Sequence, residues 1–135
     1  MLLRLTFSLA FEPILPSIKF LEEPKKLDGL ESENRKNAEV NRALLTNVLS
    51  DFKITGEIVD VKQGPIVTLF ELKPAPGTLT SSVISRTEDI ARSMSAISAR
   101  ISTIPGKDAL GIEIPNKRRE TVYLREILNS NLKDR

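Results

Sequence analysis

The chain has 135 residues, with 20 Lys and Arg against 18 Asp and Glu, one Tyr, five Phe, and no His, Cys or Trp. A single domain of this length buries roughly two thirds of its unfolded surface and needs no disulfide or metal staple. The composition excludes a Cys nucleophile, a Ser-His-Asp triad and a structural zinc site of the usual kind, and the default expectation is a reducing cytoplasm. A net charge of +2 is too small to argue nucleic-acid binding by itself.

Met1–Phe11 begins with a short apolar run, but Thr6 and Ser8 interrupt it and Glu12-Pro13 end it. It falls far short of the ~20 residues that span a bilayer, so no direct membrane insertion is expected. Pro13, Pro16 and Pro24 then forbid a continuous helix, and Ile14, Leu15, Ile18, Phe20 and Leu21 form an apolar cluster suited to an extended arm. Glu22–Lys36 is almost wholly polar and reads as a solvated linker or the start of a helix, outside the core. From Asn34 the spacing of Ala38, Leu44, Leu45, Val48, Leu49 and Phe52 predicts an amphipathic helix bounded by Gly56.

Glu57–Val61 and Ile66–Leu72 are rich in β-branched residues and flank Lys62-Gln-Gly-Pro65, which predicts a hairpin. Val83, Thr87, Ile90, Met94 and Ile97, widened by Ile84 and Ala91, predict a helix between Ser81 and Ala99. Ser85-Arg-Thr-Glu88 fits a capping box there, and Glu88 and Arg92 form an i, i+4 pair. A second hairpin is predicted from Ala99–Ile104 and Leu110–Ile114 around Pro105-Gly-Lys-Asp108, whose Pro-Gly suits a type II turn. A closing helix over Thr121–Leu128 offers Val122, Leu124, Ile127 and Leu128 as apolar positions. The fold expected is α/β of the α+β type: a small, mostly antiparallel sheet of two hairpins packed with about three helices.

Candidate chemistry is sparse. Gly106-Lys107 lacks the rest of a phosphate-binding loop, since position 101 is Ile and position 108 is Asp, and no Walker A sequence occurs elsewhere. It reads as a turn. Glu88 and Asp89 are unpaired for acid–base work, and Glu113 alternates with Ile112 and Ile114, as a solvent-facing strand residue would. Catalytic, cofactor-binding and metal-binding residues are therefore expected to be none. The basic cluster Lys117-Arg118-Arg119, with Arg125 close in sequence, is the candidate nucleic-acid-binding set, against an ordinary charged surface. Arg86, Arg92 and Arg100 add charge along the central helix and the strand after it, and no aromatic platform interleaves the cluster.

Three long strings carry the argument further: Gly64-Pro-Ile-Val-Thr-Leu-Phe-Glu-Leu-Lys-Pro-Ala-Pro-Gly77, Glu88-Asp-Ile-Ala-Arg-Ser-Met-Ser-Ala96, and Ile104-Pro-Gly-Lys107 followed by Gly111-Ile-Glu-Ile-Pro-Asn116. With Leu15-Pro-Ser-Ile-Lys-Phe-Leu21, Leu49-Ser-Asp-Phe52 and Thr121-Val-Tyr-Leu-Arg-Glu126, they resemble the alpha domain of the FtsK/SpoIIIE family of bacterial DNA translocases. The resemblance spans about residues 13–129. The division expected is residues 1–40 as an N-terminal extended arm and polar linker, 41–129 as the FtsK-like alpha domain and 130–135 as a tail.

The resemblance also implies a non-catalytic part of a hexameric ring around double-stranded DNA, serving chromosome segregation at cell division. ATP is bound and hydrolysed in that family by a separate motor domain with Walker A and Walker B, and the full-length members are membrane-tethered. The expected partners are an FtsK-like motor subunit, further copies of the chain, and duplex DNA held weakly and without regard to sequence. Met1–Ala10 matches nothing in the module, and a truncated or split gene is the expected origin. The alternatives are an interaction module that docks on a motor subunit without touching DNA, and a non-functional gene fragment.

Overall fold

A computed structural model describes residues 14–25 and 28–133, so Met1–Ala10 lies outside the described residues. The described chain divides into two units. The larger lies within residues 26–121, and the smaller joins the N-terminal arm, up to residue 25, to the C-terminal segment from residue 122. In the larger unit the order is α1 (Leu30–Asp51), β1 (Gly56–Gln63), β2 (Val67–Pro74), α2 (Thr80–Ile84), α3 (Thr87–Ser93), β3 (Arg100–Thr103) and β4 (Leu110–Pro115). Both predicted hairpins form, β1 with β2 and β3 with β4, each antiparallel. They fuse through antiparallel β2–β4 pairing that runs from Val67 opposite Pro115 to Leu72 opposite Leu110, giving one sheet of order β1-β2-β4-β3. This is the small α+β fold expected.

Strand alternation sends every second side chain of the central strands into one core. Phe70 and Leu72 of β2 and Leu110, Ile112 and Ile114 of β4 meet Leu45, Val48 and Leu49 of α1, Val83 of α2, Ile90 of α3 and Met94 just beyond it. Helix α1 starts at Leu30, ahead of the expected Asn34, and is continuous through residues 40 and 41. Leu30 and Asn34 are buried, which corrects the reading of Glu22–Lys36 as lying outside the core. Glu31 and Glu33 in the first turn favour that early start, because their charge opposes the partial positive charge at a helix N-terminus. The far end closes with Lys53 in the left-handed region, where the Ile54 amide donates to the Leu49 carbonyl and the Lys53 amide to that of Ser50.

The helix predicted between Ser81 and Ala99 is two short ones. Side-chain hydroxyls compete for its carbonyls: Ser85 Oγ donates to the Ser82 carbonyl at 3.0 Å, and Thr87 Oγ1 to that of Ile84 at 2.6 Å. The chain breaks at Ser85-Arg86, so Ser85 ends α2 instead of capping α3. The split makes four α-helices among the described residues where about three were expected. Ser95 takes a positive φ and closes α3, with Ala96 donating to Ala91 and Ser95 to Arg92. Val83, Ile90, Ala91 and Met94 are buried as the apolar stripe requires, but Ile97 lies past the helix end and is 90% exposed. Arg92 pairs with Asp89 at 3.5 Å, not with Glu88.

The Pro105-Gly106 turn forms as expected, with Gly106 at φ +75° and the Lys107 amide donating to the Ile104 carbonyl. In the smaller unit a 3₁₀ turn covers Ile18–Phe20 and α4 covers Leu124–Lys133, starting later than predicted and running further. Val122, Leu124, Ile127 and Leu128 remain 40–56% exposed. No described helix is long and apolar enough to cross a membrane.

Candidate nucleic-acid interface

The basic loop Lys117–Arg119 leaves the end of β4 and is anchored on both sides to the β1–β2 turn. The Asn116 amide donates to the Ile66 carbonyl at 2.9 Å, and the Glu120 amide to the Pro65 carbonyl at 2.8 Å. Asn116 adds two side-chain bonds: Oδ1 accepts from Thr68 Oγ1 at 2.7 Å, and Nδ2 donates to the Gly64 carbonyl at 2.8 Å. Two of the family-like strings therefore meet here, Gly64–Thr68 and Pro115-Asn116. Gly64 is required by close approach, since a Cβ there would stand 2.7 Å from the Val67 carbonyl oxygen.

Lys117, Arg118 and Arg119 are all exposed. Arg118 pairs with Glu33 of α1 at 2.9 Å, while Lys117 and Arg119 form no ion pair among the described residues. Arg125, the fourth candidate, belongs to the smaller unit. There its guanidinium pairs with Glu23 at 3.2 Å and donates to the Leu21 carbonyl at 3.2 Å, with the side chain 19% exposed. Its geometry is that of a clamp between the arm and α4. An open cleft of about 410 Å³ in the larger unit is lined by Glu31, Arg35, Glu39, Gln63, Pro65 and Glu120 among others. Three carboxylates against one guanidinium disfavour a phosphate inside it.

A second charged cluster was missed in the sequence. Glu71, on the face of β2 opposite Phe70 and Leu72, is only 3% exposed. Lys62 Nζ of β1 reaches it at 2.8 Å, and Lys107 Nζ of the β3–β4 turn at 3.0 Å. The hydrogen bonds from Lys62 and then Lys107 hold its carboxyl below the usual range, against the opposing effect of burial. The hydrogen bond that Lys62 donates to Glu71 raises the Lys62 ammonium in turn. Lys107 of the apparent Gly-Lys motif is thus a partner for a carboxylate. A charged residue within the apolar run Ile66–Leu72 was the available signal, but its two partners lie 9 and 36 residues away. Arg86 is likewise engaged, donating to the Phe52 carbonyl at 3.2 Å with its guanidinium 5.8 Å from the Phe52 ring centre.

The family model described as the FtsK alpha domain matches residues 15–116. A DNA translocase FtsK of Brucella melitensis is 54% identical over 116 residues, which is 86% of this chain and 14% of that protein. One from Mesorhizobium japonicum is 53% identical over 86% of this chain and 13% of its own length. One from Rickettsia prowazekii is 48% identical over 87% and 16%. The chain thus spans about one seventh of the first of these relatives, and it belongs to the FtsK alpha domain family.

Proposed function

We propose that the chain is the non-motor module of a bacterial DNA translocase. It contributes to a hexameric ring or channel around double-stranded DNA, in chromosome segregation at cell division. The exposed Lys117–Arg119 loop, tied at both ends to the β1–β2 turn, carries the reading of where DNA is met. Such cations contact phosphates, which position a duplex without reading its sequence, as a pump that travels along any chromosome requires. ATP turnover is the work of an FtsK-like motor outside these residues, which contain no Walker A sequence. The module works on the cytoplasmic side, where the chromosome lies.

Replacing Lys117, Arg118 and Arg119 together with Ala tests the contact. Duplex affinity at low salt should fall, and the slope of log affinity against log salt should flatten by about 2–3, near 0.9 for each phosphate no longer neutralised. Unchanged DNA binding with lost self-association would move the loop to a subunit contact. Absence of duplex binding by the parent chain would instead support a second reading, a docking module for a motor subunit with no DNA contact. The pairing of Arg118 and Arg125 with carboxylates, and the exposed Leu124, Ile127 and Leu128, favour it.

A further inference from the structure

We infer that Asn116 is a positioning residue for duplex contact, acting through the Lys117–Arg119 loop and not by touching DNA. The inference rests on the duplex-contact reading above. Asn116 stands immediately before the three cations and makes three hydrogen bonds to the β1–β2 hairpin, to Gly64, Ile66 and Thr68. Between it and the next anchor at Glu120, the backbones of Lys117, Arg118 and Arg119 make no hydrogen bond among the described residues. The loop's direction is therefore set by its two ends.

The chemistry of the anchor needs an amide. The Gly64 carbonyl can only accept, so the Asn116 Nδ2 must face it, which leaves Oδ1 to receive the hydroxyl of the buried Thr68. An Asp at this position would set an oxygen against the Gly64 oxygen, and an Ala would leave Thr68 Oγ1 without its partner. Long cationic side chains on a loose loop must be ordered when a duplex arrives, and a fixed loop meets that cost beforehand. The loop is thus held at two fixed ends, and Asn116 supplies three of the four bonds that hold them.

The test compares Asn116→Ala in two backgrounds, the parent chain and the Lys117→Ala/Arg118→Ala/Arg119→Ala variant. A fluorescent duplex is titrated at low salt, with folding checked by denaturation. In the parent, Asn116→Ala should weaken binding about three- to tenfold, the scale of the ordering cost. In the triple variant it should cost nothing further, because the charges it positions are gone. Thr68→Val, which keeps shape and removes the hydroxyl, should weaken binding in the same direction and serves if Asn116→Ala folds poorly. An equal loss in both backgrounds would overturn the inference by showing a general structural effect. So would full affinity in Asn116→Ala and Thr68→Val while the triple variant binds poorly. If the triple variant binds as the parent does, the duplex-contact reading itself fails and the inference falls with it.

Discussion

Ile90 has no exposed surface and sits in the cluster shared by the sheet, α1 and α2, whereas Ile97, seven residues on, stands 90% in solvent. Truncation to Ala should separate them sharply. Ile90→Ala should cost about 2–5 kcal/mol through lost transfer energy and an unfilled cavity, and Ile97→Ala should stay within about 0.5 kcal/mol. Urea denaturation of both variants reads the difference. Glu71 obeys a different rule, because its contribution depends on charge. Its folded-state pKa lies below the ordinary value, so its stabilisation is present above that value and is lost as pH falls through the folded one. Lys62 is raised, so its share is present below the ordinary lysine value and disappears as pH rises through the folded one. Denaturation midpoints across pH should therefore show an acid limb that Glu71→Gln flattens. Equal pH dependence in the two proteins would refute the role given to the Lys62–Glu71–Lys107 cluster.

The elements show which local signals carry through to tertiary structure. Both hairpins are legible because turn chemistry and β-branched runs agree, and the Pro105-Gly106 turn has the positive φ that its glycine suggests. The two turns tolerate change differently. Gly106 has nothing within 4 Å of an added Cβ, so Gly106→Ala costs only the strain of a positive φ, about 1–2 kcal/mol. Gly64→Ala sets a Cβ 2.7 Å from a backbone oxygen, so it should cost more and should also disturb the Asn116 anchor. Denaturation of the two variants gives the order. The α2–α3 region was less legible. Its apolar period persists across the break, because Val83 and Ile90 reach one core from two helices, so periodicity could not reveal the interruption at Ser85-Arg86. The hydroxyls of Ser85 and Thr87 were visible, but which carbonyl each would take is settled only by the folded chain. The basic loop was legible as charge. Its anchoring was not, since Gly64 and Asn116 are 52 residues apart.

At the scale of the whole molecule, a net charge of +2 leaves little long-range attraction for DNA, and the proposed contact is concentrated in one three-residue loop. A lone chain that neutralises about three phosphates should bind duplex no more tightly than ~10⁻⁴ M at physiological salt. Assembly changes the arithmetic without a new contact. Once one loop of a ring is engaged, the others meet the same duplex at high effective concentration, and avidity gains of about 10²–10⁴ follow when the geometry allows simultaneous contact. Affinity for duplex should therefore rise with self-association, and the salt dependence should steepen with it, from a slope near −3 for one chain toward a multiple of that value. Anisotropy titrations over a range of protein concentration, with sedimentation on the same samples, measure both quantities together. Equal affinity and equal salt slope in monomeric and associated fractions would mean that the loops of an assembly do not share one duplex, and the channel placement of Lys117–Arg119 would be wrong.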